Sequence, residues 1–358
     1  MHSGFATPEA TLGFASRFPS HQKNGFFRGA QGLTCSSLGL GTYLGGLDDH
    51  SSERYVQAVS AAVRGGVNFL DTAINYRHQR SERDIGAALK ALFKQKEVRR
   101  EEVVLCTKAG FLTPDAVPVN LLQPSDIVGG MHSMKPEFLE DQVDRSRRNL
   151  GVETIDVLYL HNPETQLSHV PETGFYDRIR AAFGKLEELV AAGRIRYYGT
   201  ATWNGYRSIA GTGERLSLVK IAGIAKSVGG EHHHFRFVQL PFNMGMTEAF
   251  TQRYEAQGMG DPRGLLNLAH NLGITVVASA TLYQGRLLQH ITPQIAARLP
   301  GATSDAQRAI QFTRSTPGVA VALVGMGNPE HVADNLGVAK IAPVPLEDFM
   351  RFFRREEG

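Results

Sequence analysis

Residues 66–82 read GVNFLDTAINYRHQRSE, and this stretch decides how the rest of the chain is interpreted. Its first part, residues 67–71, is mostly apolar and predicts a buried strand that ends at Asp71. Tyr76 follows in the next loop, and Ser81 is placed to cap the helix that comes after it. A strand-to-helix corner of this kind commonly carries chemistry, although a buried Asp in a turn and a packed Tyr would fit equally well.

The same alternation of strand and helix continues along the chain. Helices are predicted from a cap at Ser51 or Ser52 to Gly65, then at 82–94, 136–150, 176–192, 203–228, 263–272, 303–315 and from Pro329 onwards. Strands are predicted at 37–41, 67–71, 103–107, 155–160, 195–199, 235–240, 274–278 and 319–324. Eight such units predict an α/β fold, a closed (β/α)8 or TIM barrel.

An open doubly wound sheet is the alternative to the barrel. It would need a GxGxxG corner after the first strand, and residues 39–44, GLGTYL, lack the third glycine. We therefore expect one barrel domain over residues 33–358, with long βα loops at 109–135, 162–176 and 279–302. Residues 1–32 show no clear period and are expected to be an N-terminal extension packed on the barrel.

Composition narrows the class of protein. The 358 residues are 42% hydrophobic and 20% charged, and the net charge of +3 is too small to predict a nucleic-acid or membrane partner. Cys35 and Cys106 do not form a disulfide framework, and the chain has no apolar run long enough for a membrane helix. His232, His233 and His234 are consecutive and cannot all face one ion, so no metal site is predicted. These features favour a cytoplasmic enzyme.

Polar side chains stand where successive strands end. Asp71 follows the second predicted strand, Lys108 the third and His161 the fourth, while Tyr76 lies just beyond Asp71. In a (β/α)8 barrel the carboxyl ends of the strands share one face, which is where such enzymes place their working residues. The four side chains are therefore expected to converge.

At this point the sequence resembles the aldo-keto reductase family. The resemblance spans about three hundred residues in the family's order, and the set of Asp, Tyr, Lys and His is its most specific part. The matching stretches are LGLGTY (38–43), NFLDTAINY with SE (68–82), TK (107–108), DVLYLHNP (156–163), GRIRYYGTATW (193–203), FVQLPFN (237–243) and VGMGNPEHVADNL (324–336). It implies reversible hydride transfer between NADP(H) or NAD(H) and a small-molecule aldehyde, ketone or alcohol.

The catalytic roles then follow from what carbonyl reduction requires. Hydride addition leaves charge on oxygen, so an acid must deliver a proton there, and a phenol with a pKa of about 10 is a weak donor at neutral pH. An ammonium nearby lowers that pKa, which is the role expected of Lys108 beside Tyr76. Asp71 is expected to hold Lys108, and His161 to donate a hydrogen bond to the substrate oxygen.

The resemblance also implies a cofactor site. Its departures concern Ala201 and Thr202, which stand where many members have Ser-Asn, and His331, which stands where an Arg often meets the 2′-phosphate of NADPH. Both NADP(H) and NAD(H) therefore stay open. The implied cofactor residues are Thr42, Tyr43, Asp71, Thr202, Gln239, Leu282, Gln284, Gly285, Arg286, Gly325, Asn328, His331, Asp334 and Asn335.

Two other functions remain open from the sequence. One is an NAD-dependent sugar dehydrogenase. It is favoured because His331, rather than an arginine, stands where the 2′-phosphate of NADPH would bind. The other is a non-catalytic cofactor-sensing subunit, like the β-subunits of potassium channels. The presence of all four expected catalytic residues argues against it. Phe111, His132, Met134, Phe175 and Tyr283 are candidates for the pocket wall, and neither the substrate nor the oligomeric state is predicted.

Overall fold

Eight parallel strands close into a barrel in the computed structural model, which describes residues 1–208, 213–255 and 264–354. The barrel order is β10-β3-β4-β5-β6-β7-β8-β9, and a separate antiparallel pair, β1 and β2, precedes it. The strands are β1 (Phe27–Ala30), β2 (Leu33–Ser36), β3 (Leu38–Gly41), β4 (Phe69–Asp71), β5 (Val104–Ala109), β6 (Ile155–His161), β7 (Ile195–Ala201), β8 (Phe235–Pro241), β9 (Thr275–Ser279) and β10 (Val319–Gly325). The predicted barrel is confirmed, with every barrel strand within two residues of its predicted ends.

Helices surround the barrel. They are α1 (Pro8–Ser16), α2 (Pro19–Lys23), α3 (Asp49–Arg64), α4 (Arg80–Lys94), α5 (Pro136–Leu150), α6 (Glu172–Ala191), α7 (Leu218–Gly229), α8 (Glu248–Thr251), α9 (Leu265–Asn271), α10 (Pro293–Ala297), α11 (Asp305–Ser315), α12 (Pro329–Asn335) and α13 (Leu346–Phe349). None of the helices in these described ranges is both long and apolar enough to cross a membrane.

Several helix starts differ from the sequence prediction. Asp48, rather than Ser51 or Ser52, caps α3, because its carboxylate accepts a hydrogen bond from the Ser51 amide at 2.7 Å. Ser81 lies inside α4 and does not cap it, since its hydroxyl donates to the Thr42 carbonyl at 2.7 Å. The helix predicted from residue 176 begins four residues earlier, at Glu172.

The helix predicted over residues 203–228 is wrong in its first half. Helical structure there begins only at Leu218, where the Ser217 hydroxyl accepts from the Lys220 amide. Residues 203–208 form bends and turns instead, and residues 209–212 lie outside the described part of the chain. Because these turns directly follow β7, they put Trp203 at the carboxyl end of the barrel.

The amino end of the barrel is covered by the N-terminal residues. Leu33 and Cys35 of β2 pack in one apolar cluster with Phe69 of β4 and Val104 of β5, which point into the barrel. Residues 1–32, which show no sequence periodicity, contain α1, α2 and β1. Because β1 pairs with β2, this hairpin crosses the boundary expected between the extension and the barrel at residue 33. One end of the barrel is filled by side chains, which leaves the carboxyl end for a ligand.

The aromatic residues at the end of the described chain pack on a helix. Phe349 and Phe353 lie with their ring centroids 5.2 and 6.3 Å from that of Phe312 in α11, and Phe353 also contacts Phe250. This aromatic cluster attaches the segment after α13 to the body of the barrel.

Candidate active site

Asp71 and Lys108 form a buried ion pair at the carboxyl end of the barrel. Asp71 is the last residue of β4 and Lys108 lies near the end of the neighbouring β5. The Lys108 Nζ donates to Asp71 Oδ1 at 2.5 Å and to the Thr72 carbonyl at 2.8 Å. The other carboxylate oxygen accepts from the Gln239 side-chain amide at 2.8 Å, which links β8 to the pair.

Tyr76 lies against this pair. The Lys108 Nζ is 4.8 Å from the centroid of the Tyr76 ring, so the ammonium and the phenol are direct neighbours, as the sequence predicts. The Tyr76 ring is half-buried and also meets Tyr43 at 5.0 Å and His161 at 5.7 Å between centroids. The four polar side chains therefore do converge.

The pKa shifts in this group follow from burial and from charge. Burial raises the pKa of Tyr76 above its usual value, and the Lys108 ammonium only partly opposes that rise. The expected net lowering of the Tyr76 pKa is therefore wrong for this structure. Burial lowers the pKa of Lys108, but Asp71 and Tyr76 outweigh it, so the pKa is raised and the amine stays charged. Burial raises the pKa of Asp71, and this effect outweighs the lowering by Lys108 and Gln239.

His161 is a neutral imidazole at the end of β6. Burial, followed by the charge of Lys108 and by His132, holds its pKa well below the usual value of 6.5. Its ring meets Phe111 at 4.9 Å, edge to face, and its Nδ1 finds no hydrogen-bond partner among the described residues. A neutral imidazole carries one N–H and can donate it to a ligand oxygen without adding charge.

His132 makes a hydrogen bond to the backbone of His161. The His132 ring, fully buried, donates through Nε2 to the His161 carbonyl at 2.8 Å, and its Nδ1 lies 2.9 Å from the Gln166 amide. Burial lowers the pKa of His132 to about 4, which keeps this ring neutral too. Gly110 makes room for it, because a Cβ there would lie 2.7 Å from His132 Nε2 and the backbone has φ of +136°.

The backbone after Tyr76 turns in an unusual way. Arg77, His78 and Gln79 all have positive φ, at 49°, 51° and 68°, which non-glycine residues adopt rarely. The buried Arg77 side chain fixes this turn, because it pairs with Asp84 at 2.5 Å and donates to the Gly46 carbonyl at 2.7 Å. The turn that presents Tyr76 is thus tied to both α4 and the loop after β3.

A cavity of about 660 Å³ opens beside these residues. It runs from Tyr76 and His161 to the loop after β9 and to Gly325, the last residue of β10, so it is an elongated site at the carboxyl end of the barrel. The cofactor and catalytic residues implied by the sequence that line it are Thr42, Tyr43, Asp71, Tyr76, His161, Thr202, Gln239, Leu282, Gln284, Gly285, Gly325, His331, Asp334 and Asn335.

Three of the predicted residues do not line the cavity. Lys108 is enclosed behind Asp71 and Tyr76. Arg286 is exposed, with its guanidinium 5.5 Å from the Tyr283 ring centroid, and Asn328 caps α12 by accepting from the Glu330 amide. Of the candidate wall residues, Phe111 and Tyr283 do line the cavity. His132, Met134 and Phe175 are instead buried within the protein.

The lining also includes residues that the sequence analysis did not single out. These are mostly small or uncharged side chains, whose types carry no chemical signal of their own. Some of them, such as Asn162 and Trp203, closely follow a strand, and only that position could have indicated them. They include Asn75, Asn162, Trp203, Ser279, Thr281, Leu288, Ala306 and Leu323.

Several polar atoms of the lining are buried without a partner. Thr202 Oγ1, Thr281 Oγ1, Asn75 Oδ1 and His161 Nδ1 make no hydrogen bond to the protein. Buried polar groups are normally paired, so these atoms indicate a polar ligand that completes them. The loop after β9 turns sharply, because Tyr283 and Gln284 have φ of 46° and 56°. The amides of Tyr283 and Gly285 donate within this loop, to the Ala280 and Leu282 carbonyls, each at 2.8 Å.

These features define a (β/α)8 barrel with a tyrosine, an ion pair and a neutral histidine at the mouth of an elongated cavity that has several unpaired polar atoms in its lining. The chain belongs to the aldo/keto reductase family, whose model matches residues 37–303. The family expected from the sequence is therefore confirmed.

Relatives agree with this assignment. The chain is 30% identical, over 179 residues, to the NADH-specific methylglyoxal reductase of Escherichia coli (strain K12). That match covers 48% of this chain and 50% of the reductase, so it spans only half of each protein.

Solved structures share the fold over nearly the whole chain. The holo form of the aldo-keto reductase AKR11C1 from Bacillus halodurans aligns with a TM-score of 0.64 at 20% identity, covering 91% of this chain and 95% of that one. An aldo/keto reductase from Klebsiella pneumoniae, in complex with NADP and acetate, aligns with a TM-score of 0.63 at 20% identity, covering 90% and 92%.

Proposed function

We propose that this protein is an NAD(P)(H)-dependent oxidoreductase that interconverts a small aldehyde or ketone and the corresponding alcohol. The observation that carries the proposal is the Lys108 ammonium 4.8 Å from the Tyr76 ring, at the mouth of a cavity also lined by His161. Family membership and the orphaned polar atoms of the cavity support the same function.

Each side chain has a defined task in this proposal. A dihydronicotinamide bound in the cavity would supply the hydride for the carbonyl carbon. Tyr76 delivers the proton to the carbonyl oxygen, and Lys108 stabilises the phenolate that remains. His161 donates a hydrogen bond to the same oxygen and orients it.

The cavity also indicates where the cofactor is held. Thr202 and Gln239, at the ends of β7 and β8, are placed to bind the carboxamide beside the catalytic group. The loop after β9, whose residues 280–285 line the cavity, would lie along the pyrophosphate. His331, Asp334 and Asn335 line the far end of the cavity and would meet the adenosine.

We further propose that NAD(H) is preferred over NADP(H). No Lys or Arg appears among the described residues that line the cavity, so a 2′-phosphate would find no cationic partner there. The Asp334 side chain, a carboxylate that would oppose a 2′-phosphate, also lines this end of the cavity. It accepts hydrogen bonds from Ser304 at 2.7 Å and from Gln307 at 2.9 Å. The half-length relative from Escherichia coli is named as NADH-specific.

The direct test is consumption of NADH and of NADPH with a panel of aldehydes and ketones. Oxidation of NADH that depends on a carbonyl compound would support the proposal. Tight cofactor binding without turnover of any carbonyl or alcohol would instead indicate the non-catalytic binding subunit. Turnover restricted to sugars with NAD⁺ would favour the sugar dehydrogenase.

A further inference from the structure

A buried arginine comes directly after Tyr76. Arg77 is 6% exposed, and its guanidinium reaches three separate parts of the chain. It pairs with Asp84 of α4 at 2.5 Å, donates through Nε to the Gly46 carbonyl at 2.7 Å, and donates through Nη2 to the Ser52 hydroxyl of α3 at 3.0 Å. The backbone next to Tyr76 is therefore fixed by contacts that lie outside the cavity lining.

The Arg77 guanidinium also lies over the ring of Tyr55. Its carbon Cζ is 4.8 Å from the ring centroid, within the range of a cation–π contact. Tyr55 is 3% exposed, and its hydroxyl donates to the Leu44 carbonyl. Burial raises the pKa of Tyr55 to about 12, so the hydroxyl keeps the proton that this hydrogen bond needs. Because Leu44 lines the cavity, Arg77 and Tyr55, here called the coupling pair, reach one of its walls.

Two glycines place the Tyr55 ring between two loops. A Cβ on Gly45, in the loop after β3, would lie 3.0 Å from Tyr55 Cε2 and 3.4 Å from Arg77 Nε. A Cβ on Gly327, in the loop after β10, would lie 2.9 Å from Tyr55 Cζ. Gly327 lies between the last residue of β10 and α12, both of which contribute to the cavity lining. The coupling pair therefore joins the turn after Tyr76 to the loops after β3 and β10.

The turn depends on such support because residues 77–79 are left-handed without a glycine. Backbone of this kind persists only where the surrounding contacts hold it. A pair with a purely structural role would stabilise the fold and leave the catalytic rate of the folded protein unchanged. The coupling pair adjoins both the proposed proton donor and two loops of the cavity, which gives it the means to affect that rate.

We propose that Arg77 and Tyr55 are positioning residues, which couple binding of the adenosine half of the cofactor to the placement of the Tyr76 hydroxyl. This proposal rests on the proposed function. A ligand that orders the loops after β3 and β10 restricts Tyr55 between them, and Arg77 transmits that restriction to the turn at 77–79. Such coupling is reciprocal, so a variant that weakens the pair must also weaken binding of the ligand.

The test uses two conservative variants that keep the buried charge balance. Tyr55→Phe removes one hydroxyl, and Arg77→Lys keeps a charge beside Asp84 while it loses the guanidinium contacts to Gly46 and Ser52. We expect Tyr55→Phe to slow single-turnover reduction of an aldehyde by bound NADH about two- to tenfold, the effect of one hydrogen bond. Arg77→Lys should slow it by up to about 10²-fold, because a displacement of about 1 Å can cost that much.

Tyr254→Phe is the matched control. Tyr254 is 8% exposed, its hydroxyl donates to the Leu216 carbonyl, and the Arg215 guanidinium lies 4.4 Å from its ring centroid. These contacts repeat those of the coupling pair at a site outside the cavity lining. Tyr254→Phe should lower the Tm about as much as Tyr55→Phe and leave the single-turnover rate unchanged.

Hydrogen exchange measures the coupling without turnover. The Gln79 amide donates to the Ile74 carbonyl at 3.0 Å, and the Arg80 amide donates to the Arg77 carbonyl at 3.1 Å. Their exchange therefore reports opening of the turn. The probe is 5′-AMP at millimolar concentration, because it carries the adenosine half of the cofactor without the nicotinamide. We expect AMP to slow this exchange about fivefold or more in the unmodified protein and in the control variant, and less than about twofold in both variants of the coupling pair.

Two results would overturn the inference. If Tyr55→Phe and Tyr254→Phe change the single-turnover rate equally, the coupling pair is structural while the proposed function stands. If AMP leaves the exchange of the turn unchanged in the unmodified protein, the far end of the cavity is not coupled to Tyr76. If no carbonyl is reduced with either cofactor, the proposed function fails, and the exchange experiment decides the inference alone.

Discussion

Two buried ion pairs stand at opposite ends of the barrel and serve different purposes. Arg100 and Asp156 pair at 2.8 Å at the amino end, with side chains 3% and 1% exposed. Lys108 and Asp71 pair at 2.5 Å at the carboxyl end, with side chains 1% and 4% exposed. Burial and distance alone do not distinguish them.

The two ion pairs differ in their other hydrogen-bond partners and neighbours. Both oxygens of Asp156 accept backbone amides, from Ala6 at 2.7 Å and Leu105 at 2.8 Å, and Arg100 donates to the carbonyls of Val103 and Thr154. That pair ties the N-terminal segment to β5 and β6. At the other end, Asp71 borders the cavity and Lys108 faces Tyr76. We therefore propose that the pair at the carboxyl end is functional, because one of its neighbours, Tyr76, is an ionisable group open to a ligand.

The largest effect is expected from breaking the pair at the carboxyl end. Lys108→Met keeps an apolar stem of similar length and removes the charge beside Tyr76. We expect kcat/KM for carbonyl reduction to fall by about 10²- to 10⁴-fold, the range for a positioned acid. Cofactor binding, measured by fluorescence titration, should change by less than about threefold. A variant that keeps more than about a tenth of the activity would contradict the role of Lys108.

Breaking the pair at the amino end should affect stability instead. Asp156→Ala leaves the Arg100 charge buried without its partner, which costs about 3–5 kcal/mol of unfolding free energy. Urea unfolding measures this, and the folded fraction should keep its kcat. The exposed pair of Lys220 and Glu172 is the control, since Glu172→Ala should cost less than about 1 kcal/mol. Equal losses for the two variants would remove the contrast.

The carboxyl end should also show its own acid sensitivity. His132 has a folded pKa of about 4 against 6.5 for the free side chain, so it folds as the neutral form. Its contribution to stability is complete above pH 6.5 and is lost as the pH falls from about 6.5 to about 4, by roughly 3 kcal/mol in total. His161 acts with the same sign.

Urea unfolding across this pH range tests the sign. His132→Gln should make the loss of stability with acid shallower. An unchanged slope in His132→Gln would show that the ring is already charged in the folded protein.

The smallest effect is expected at the far end of the cavity. His331→Arg supplies the guanidinium that the lining lacks and should tighten NADPH binding by about tenfold, or 1.4 kcal/mol, while NADH binding stays within about twofold. Titration of the nicotinamide fluorescence measures both constants. His270→Arg, on the exposed side of α9, controls for net charge. Tighter NADPH than NADH binding in the unmodified protein would refute the preference for NAD(H).

The barrel, and the convergence of Asp71, Tyr76, Lys108 and His161 at one end of it, could be predicted from the sequence because both depend on local patterns. Apolar runs with regular spacing locate strands, and the ends of parallel strands must meet at one face. Asp71, Lys108 and His161 could therefore be brought together without coordinates.

Other features depend on long-range contacts and could not be predicted in this way. Ser81 looks like a cap by its type, yet its hydroxyl is taken by Thr42, far away in the sequence. The left-handed turn at Arg77 contains no glycine at residues 77–79. It is stabilised instead by the Arg77 side chain, which donates to the Gly46 carbonyl and pairs with Asp84. The direction of the Tyr76 pKa shift also needed coordinates, because it depends on how strongly burial outweighs Lys108.

The central claim is that Tyr76 delivers the proton to the substrate oxygen. The most direct measurement is single-turnover reduction of an aldehyde by the enzyme–NADH complex, comparing the unmodified protein with Tyr76→Phe. The account predicts that the variant binds NADH within about twofold of the unmodified protein and reduces the aldehyde at least about 10²-fold more slowly. Equal rates for the two proteins would contradict it.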